Sequence, residues 1–312
     1  MLDSVVGTTP PGTSQPGTFL GLPAADPAVV EPGIAILGVP YGISYPSTKS
    51  GPGCAEAPKA IRHRSARLAG FIGHHDFDTG RPMLPNAGRI VDCGDVPGDP
   101  ADGAGNTDRA ETAVRVLLDR SVTPVVLGGD DSVPIPVLRA YADHGPLTVL
   151  QVDAHLDFRD EVAGVTEGYS STMRRASEMA HVTRVVQVGL RGVGSARPAD
   201  LDDARAAGGL LVTAREVRER GVGWVLEQLP EGGAIFLAFD LDGLDPSLCP
   251  AVSAPLPGGL SWDEAGDLVS GAATRGRVVG AAFTELVPER DPSGYSALVA
   301  ARLVIRLLSA IP

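Results

Sequence analysis

The 312-residue chain is poor in cysteine, lysine and aromatic side chains, and each shortage narrows what it can be. Its three cysteines, Cys54, Cys93 and Cys249, are an odd number at long spacings, with neither a CxxC pair nor the density of a disulfide scaffold. A reducing compartment is expected, and with it a cytoplasmic protein. Lysine occurs only at Lys49 and Lys59, and no run of Lys or Arg is long enough to follow a phosphate backbone. With 26 basic against 38 acidic residues and a formal net charge of -12, nucleic acid is not expected as a partner. No stretch of about 18 uncharged apolar residues occurs, and the opening MLDSVVGTTPPGTSQPG has no basic segment leading into an apolar one. Neither a membrane span nor a secretory leader is expected.

Apolar material for a large core is present: 43% of residues are hydrophobic, and a chain of this length buries roughly three quarters of its unfolded surface. Such a chain needs no metal to hold its fold, so a metal that it binds serves chemistry. Residues 1–33 are rich in Pro, Gly, Ser and Thr around one apolar patch at Phe19 and Leu20, and read as a flexible N-terminal arm that docks on a neighbour. From Ile34 onward, short apolar runs ending in Gly or Asp alternate with helix-like segments, the pattern of βα units around a mostly parallel sheet. The expected strands are Ile34 to Val39, Arg89 to Asp92, Pro124 to Leu127, Thr148 to Val152, Val185 to Val188, Gly209 to Val212, Ala234 to Phe239 and Val278 to Thr284. The expected helices include Thr107 to Arg120, Val133 to Asp143, Ala214 to Gln228, Trp262 to Arg275 and Ser293 to Leu308. No repeat or linker divides this stretch, so residues 34–312 are expected to form one α/β domain of three αβα layers.

The acidic residues sit at the C-terminal ends of those strands. PVVL is followed by Gly128-Gly129-Asp130-Asp131-Ser132, TVLQV by Asp153-Ala154-His155-Leu156-Asp157, IFLAF by Asp240-Leu241-Asp242-Gly243-Leu244-Asp245-Pro246, and VGAAFT by Glu285. In an open α/β sheet ligands bind beyond the carboxyl ends of the strands, so these distant segments converge on one crevice. Carboxylates gathered there cannot all stay ionised without protons or cations, and two divalent ions satisfy them most completely. Alternation along a strand lets the first and third residues of DxHxD and DxD point the same way. Oxygen ligands with one imidazole suit Mn2+ first, with Ni2+, Co2+, Fe2+ or Zn2+ as alternatives. Two such ions, about 3.5–4 Å apart, make a hydroxide nucleophile of water at neutral pH, which calls for a polar substrate with an electrophilic carbon or phosphorus. A lone strand-end Asp is more often a helix N-cap, and Ser132 or Asp131 is placed to cap a helix starting near Val133. Capping is a poor account of Asp153, His155, Asp157, Asp240 and Asp242 together.

Three of these motifs resemble the metal-binding signatures of the ureohydrolase family, which contains arginase and agmatinase: GGDDS at 128–132, DAHLD at 153–157, and FDLDGLDP with PLPGGLS across 239–261. GVPYGISYPSTKSGPGCAEAPKAIR at 38–62, VDCGDVPG and TELVPERDPSGYSALVAARL at 284–303 are similar to its N-terminal segment, second strand and last strand and helix, so the likeness spans about residues 34–308. The resemblance implies an arginase-like fold and hydrolysis of a guanidino group to urea and an amine, with two Mn2+ ions, or Ni2+, as cofactors. Asp153 and Asp240 would bridge the metals, His155 and Asp242 would complete one ion, and Asp157 would help complete the other. Glu285 would pair with the substrate's guanidinium, and a carboxylate would carry a proton to the leaving amine. A homo-oligomer, trimer or hexamer, is implied as well. The form of the motifs is agmatinase-like more than arginase-like.

Two positions depart from the family pattern. Asp131 stands where the family's GGDH carries a His ligand, giving five carboxylates and one imidazole, nominally -5 against +4 from two divalent ions. This retunes the site or leaves one metal weakly held. Tyr169 stands where arginases and agmatinases commonly carry His, and a phenol with an unperturbed pKa near 10 is no proton shuttle at neutral pH, although it donates a hydrogen bond or packs on a planar cation. Guanidine, a guanidino acid or a biguanide are therefore alternative substrates, and a non-catalytic subunit paired with an active paralogue is the alternative role. Asp130 reads as a supporting residue, Asp245 as a turn residue, and Glu285 alternatively as the ion-pair partner of Arg191. His74 and His75 read as a polar surface loop, and His63, His144 and His181 as surface or capping groups. Cys54 and Cys249 fall in loops that the resemblance puts near the mouth of the site.

Overall fold

The computed structural model describes residues 17–31, 33–43, 45 and 53–312. In chain order the elements are β1 (Ile34–Val39), α1 (Ala57–Ser65), the short strands β2 (His75–Asp76) and β3 (Arg81–Pro82), β4 (Ile90–Asp95), α2 (Gly103–Asp119), β5 (Thr123–Gly128), α3 (Pro134–Arg139), β6 (Leu147–Val152), α4 (Thr172–Glu178), β7 (Val182–Leu190), α5 (Pro198–Ala206), β8 (Leu210–Thr213), α6 (Ala214–Arg220), α7 (Val222–Glu227), β9 (Ala234–Asp240), α8 (Trp262–Arg275), β10 (Arg277–Thr284) and α9 (Tyr295–Ala310). β2 and β3 form an antiparallel hairpin. The others form an eight-stranded sheet in the order β4-β1-β5-β10-β9-β6-β7-β8, and every pairing in it is parallel.

The period of two along each strand divides its side chains between two cores. Ile34, Ile36, Val125, Leu127, Leu237 and Phe239 pack with residues of α1, α8 and α9 on one face. Ala35, Leu37, Val126, Phe236 and Ala238 pack with α2, α3 and α4 on the other. The result is the expected three-layer αβα sandwich. α8 shows why a segment chooses its layer: Ser261 and Glu264 close a capping box, and Ala265, Leu268, Val269 and Ala272 recur at helical spacing as its buried stripe. Gly221, at φ +81°, divides the expected helix 214–228 into α6 and α7. α3 stops at Arg139, short of the expected Asp143.

Packing begins before residue 34. Of the expected arm, residues 1–16 and 32 lie outside the described residues, while Phe19 and Leu20 are fully buried in the domain's own core. The Phe19 amide donates to Asp92 Oδ2 at 2.7 Å, the Leu20 amide to Ser65 Oγ at 2.8 Å, and Ala24 bridges to Asp92 in parallel. The segment thus covers the exposed edge of β4, a common way to protect an edge strand. Among the described residues no helix is long and apolar enough to cross a membrane.

Candidate metal centre

The four central strands of the sheet, β5, β10, β9 and β6, all end at one place, and each delivers acids there. Asp131 follows β5, Asp153 to Asp157 follow β6, Asp240 closes β9 with Asp242 two residues on, and Glu285 follows β10. Ligand oxygens or nitrogens of Asp131, Asp153 and Asp240 lie within 4.8 Å of one another, as do those of Asp153, His155 and Asp242. The two sets share Asp153. His155 Nδ1 is 2.9 Å from Asp242 Oδ2, and Asp157 is hydrogen-bonded through its side chain to Asp153. Asp157 and Glu285 hold φ at +44° and +69°, a left-handed conformation that costs a non-glycine residue roughly 1–3 kcal/mol and is found where surrounding structure imposes it.

Neutral partners hold the backbone and the outer oxygens of this cluster. Asp242 accepts from the Ala154 amide and Asp240 from the Asp242 amide, so the β6 and β9 loops fix each other. Thr284 Oγ1 donates to Asp131 Oδ1 at 2.7 Å, and Glu285 Oε1 accepts from the Asp131 amide at 2.9 Å. Beneath Asp153 lies a buried amide relay: Gln187 Nε2 donates to Gln151 Oε1, and Gln151 Nε2 donates to Asp153 Oδ2. Gly129 admits no side chain, since a Cβ there would sit 2.3 Å from the Pro40 carbonyl oxygen.

The charge is not satisfied by the protein alone. Burial first, and then neighbouring carboxylates, push the acids of Asp131, Asp153, Asp157 and Asp240 well above the usual carboxylate range. Burial and Asp130 raise Glu285 to about 7. Burial opposes charge on His155, yet its bond to Asp242 raises it to about 9. Asp131 Oδ2 is buried with no hydrogen-bond partner, and the side chains of Asp153 and Asp157 meet each other, which two carboxylates tolerate only with a proton or a cation between them. An orphaned oxygen and hard oxygen donors with one imidazole suit a pair of divalent cations.

Other expectations fall into place around this centre. Asp130 accepts from the Ser132 amide and hydroxyl, and Ser132 Oγ accepts from the Ile43 amide, so Asp130 buttresses the β5 loop. No side chain caps α3, which removes the capping account of Asp131 and Ser132. Asp245 is a turn residue, held at about 2 by bonds to Ser247, Gly258 and Gly259. The alternative pairing of Glu285 with Arg191 is not formed: the Arg191 guanidinium donates to backbone carbonyls, among them those of Asp242, Leu244 and Leu256, and so pins the β9 loop. Cys54 Sγ instead lies 3.9 Å from Glu285 Oε2 and 3.8 Å from Ser253 Oγ. Cys249 is buried beside Ser296, and all three cysteines are free. His74 and His75 are exposed beside a separate cavity along α8 and α9, apart from the carboxylates. Sequence reasoning missed Gln151, Gln187, Thr284 and Ser253, and for Arg191 it missed the bonds to the β9-loop carbonyls; the signal for the two glutamines was a polar residue inside an otherwise apolar strand.

Above the acids opens a cavity of about 290 Å3. Tyr169 forms part of its wall, half-buried, its ring edge-on to Tyr45 with centroids 4.5 Å apart. Burial and Tyr45 push its phenol up to about 12.

A parallel sheet covered on both faces, with two overlapping sets of possible metal ligands at its central strand ends, defines a three-layer α/β protein with a candidate binuclear metal centre. A family profile described as "Arginase family" matches residues 32–309, and the chain belongs to the arginase family, the ureohydrolases, whose members are binuclear metal enzymes. Guanidinobutyrase of Pseudomonas aeruginosa is 31% identical over 89% of this chain and 86% of its own, and guanidinopropionase of the same organism is 32% identical over 93% and 90%. The solved structure of proclavaminate amidino hydrolase from Streptomyces clavuligerus superposes with a TM-score of 0.82 at 30% identity, covering 95% of this chain and 97% of the other.

Proposed function

We propose that the chain hydrolyses the guanidino C–N bond of a small guanidino compound, agmatinase-like in its motifs, releasing urea and an amine. The observation that carries this reading is the pair of ligand sets sharing Asp153, with the orphaned Asp131 Oδ2 inside them and Glu285 above. Asp153 and Asp240 would lie between two cations, with His155 and Asp242 on one and Asp131 and Asp157 on the other; Mn2+ suits this set best and Ni2+ second. When bound, such a pair supplies a nucleophile from water at neutral pH.

The chain's own residues do the rest. Glu285, poised near 7 in the buried site, ionises beside a guanidinium cation and holds it by a charge-assisted contact that orients its carbon toward the acids. Without a cation, burial and Asp153 push the Asp157 carboxyl well above the usual range; with the cations in place Asp157 would be an ionised ligand, and a carboxylate of the site would carry the proton to the leaving nitrogen. Tyr169 keeps its phenolic proton and acts as a wall and hydrogen-bond donor, not as a shuttle. Relatives named for guanidinobutyrate and guanidinopropionate support guanidino acids as rivals to agmatine; guanidine and a biguanide remain in the panel. The proposed catalytic unit is 34–312, acting in the cytoplasm as a homo-oligomer, trimer or hexamer.

The test is urea release after separate reconstitution with Mn2+ and Ni2+, with metal counted per chain and Asp240→Ala as control. Urea from a guanidino compound, lost in the variant, is the expected result. No urea together with no bound metal would replace the proposal with a non-catalytic subunit that pairs with an active paralogue.

A further inference from the structure

The Glu285 carboxylate is gripped from three separate segments. On the β5 loop the Asp131 amide donates to its Oε1 at 2.9 Å. On the loop between β9 and α8 the Ser253 hydroxyl is hydrogen-bonded to it, and in the turn that leads into α1 the Cys54 Sγ lies 3.9 Å from its Oε2. The two outer groups also meet each other, with Cys54 Sγ 3.8 Å from Ser253 Oγ. Their backbones are fixed in turn. Arg290 donates to the carbonyls of Val252 and Ser253, Val252 bridges to Leu286, and the Val287 amide donates to the Ala251 carbonyl, so the loop bearing Ser253 is tied to the end of β10 that bears Glu285. Gly53, at φ +82°, passes so close to Val287 that a Cβ on it would sit 3.1 Å from Cγ1, and this approach delivers Cys54. Burial, then the Glu285 and Asp130 carboxylates, push the Cys54 thiol up, so it stays protonated and serves as a hydrogen-bond donor, not as a nucleophile.

We infer that Ser253 and Cys54 are positioning residues, which hold the Glu285 carboxylate in the orientation that receives the substrate's guanidinium. This rests on the proposed guanidino chemistry and specifies what aims its anchoring acid. Ser253 and Glu285 both line the cavity, and Cys54 backs them at 2% exposure. A carboxylate turns about a single bond, whereas a guanidinium presents a planar fork that binds well only to an acid already turned to meet it. The hydroxyl, the thiol and the Asp131 amide remove that rotation before substrate arrives. Packing alone does not account for the pair. Two apolar side chains would fill the same space without the cost of burying polar groups, whereas a hydroxyl and a thiol are stabilised there only by the partners they find in each other and in Glu285.

The experiment follows binding and turnover on the Mn2+-loaded protein. Agmatine and guanidinobutyrate give kcat and KM where urea is released, and calorimetric titration with guanidinium chloride gives a Kd that needs no turnover. Ser253→Ala is expected to weaken guanidinium binding about tenfold, the size of one hydrogen bond to a charged group, and to act on KM more than on kcat. Cys54→Ala removes a weaker donor and is expected to cost about threefold, while Ser253→Thr and Cys54→Ser, which keep a hydroxyl, stay within about twofold. Metal content and Tm should not change in Ser253→Ala. The decisive comparison is with Glu285→Gln: if Ser253 acts through the Glu285 carboxylate, adding Ser253→Ala to that variant weakens binding little further. The same tenfold loss in both backgrounds, a parallel loss of metal, or unchanged binding in Ser253→Ala overturns the inference. If no compound yields urea, the proposed reaction fails while titration still decides the positioning: a loss confined to the protein that keeps Glu285 sustains it, and an equal loss in both backgrounds, or no guanidinium binding at all, overturns it.

Discussion

Two regions of this protein bury charge, and they treat it differently. At the edge of the sheet Arg62 donates to both oxygens of Asp92 at 2.8 and 2.9 Å, to Asp95 and to the Gly94 carbonyl. Burial opposes the Arg62 charge, but Asp92 and Asp95 hold its pKa above the ordinary value. Asp92 also accepts from the Phe19 amide, so this cluster is complete within the chain and fastens the N-terminal segment. At the central strand ends, Asp131, Asp153, Asp157, Asp240, Asp242 and Glu285 are buried as deeply with only His155 as a possible cation. The first arrangement is closed and structural. The second is open to cations from outside, so its cost is met only in the working enzyme.

The largest expected effect is at the open cluster. Asp240→Ala removes a member of the set formed by Asp131, Asp153 and Asp240 and is expected to lower kcat/KM by more than the roughly 10- to 100-fold typical of an outer residue, with metal content falling below two per chain. Full activity in that variant would break the contrast. Removing metal with a chelator tests the same charge through stability. A group whose folded pKa is raised stabilises the fold fully below its unfolded pKa, and that contribution is lost as pH rises through the folded value. Glu285, raised from 4.5 to about 7, sets a window across that range; His155, raised from 6.5 to about 9, extends it upward, and the four raised aspartates act with the same sign. Metal-free protein should therefore lose Tm steadily from about pH 5 to about pH 9, and added Mn2+ should flatten the slope. An unchanged slope would mean that cations do not settle this charge.

At the closed cluster the expectation reverses. Arg62→Leu leaves Asp92 buried without its cation and is expected to cost about 3–5 kcal/mol in denaturant unfolding, while the folded fraction keeps its metal. Smaller again is Gln187→Leu, which breaks the relay under Asp153 and is expected to weaken metal binding roughly 10- to 100-fold with little change in unfolding free energy. A loss of fold with unchanged metal affinity would place the glutamines with Arg62 rather than with the open cluster.

These two regions were also unequally legible. β1 and α8 have the expected boundaries because an unbroken apolar run bounded by turn residues and a capping box with its 3.6-residue stripe are written locally. The candidate ligands were legible for a similar reason: DxHxD and DxD sit directly after apolar strands, and the family likeness singled them out. α1 and α5 were missed because their short, polar sequences carry little apolar periodicity. The Gln151–Gln187 contact depends on the register of β6 against β7, which neither strand states alone. Cys54 reaches Ser253 and Glu285 across 199 and 231 residues of chain, a proximity that only the folded sheet creates. The Arg62–Asp92 pair escaped notice because α1 itself did.

Tyr169 gives the finest test, because it lies in the open region without adding to its charge. Its phenol, pushed up to about 12 by burial and Tyr45, stays neutral throughout the pH range in which the carboxylates change state. If buried charge is what separates the two regions, deleting a neutral hydroxyl should leave the centre intact. Tyr169→Phe keeps the ring that meets Tyr45 edge-on and removes only the O–H. The expected outcome is unchanged metal content and a kcat well within the roughly 100-fold lost when a proton-transfer group is removed. A pH profile distinguishes the roles further. A phenol acting only as a wall leaves both limbs of the profile where they were, whereas loss of a limb in Tyr169→Phe would make the hydroxyl a proton carrier despite its raised pKa.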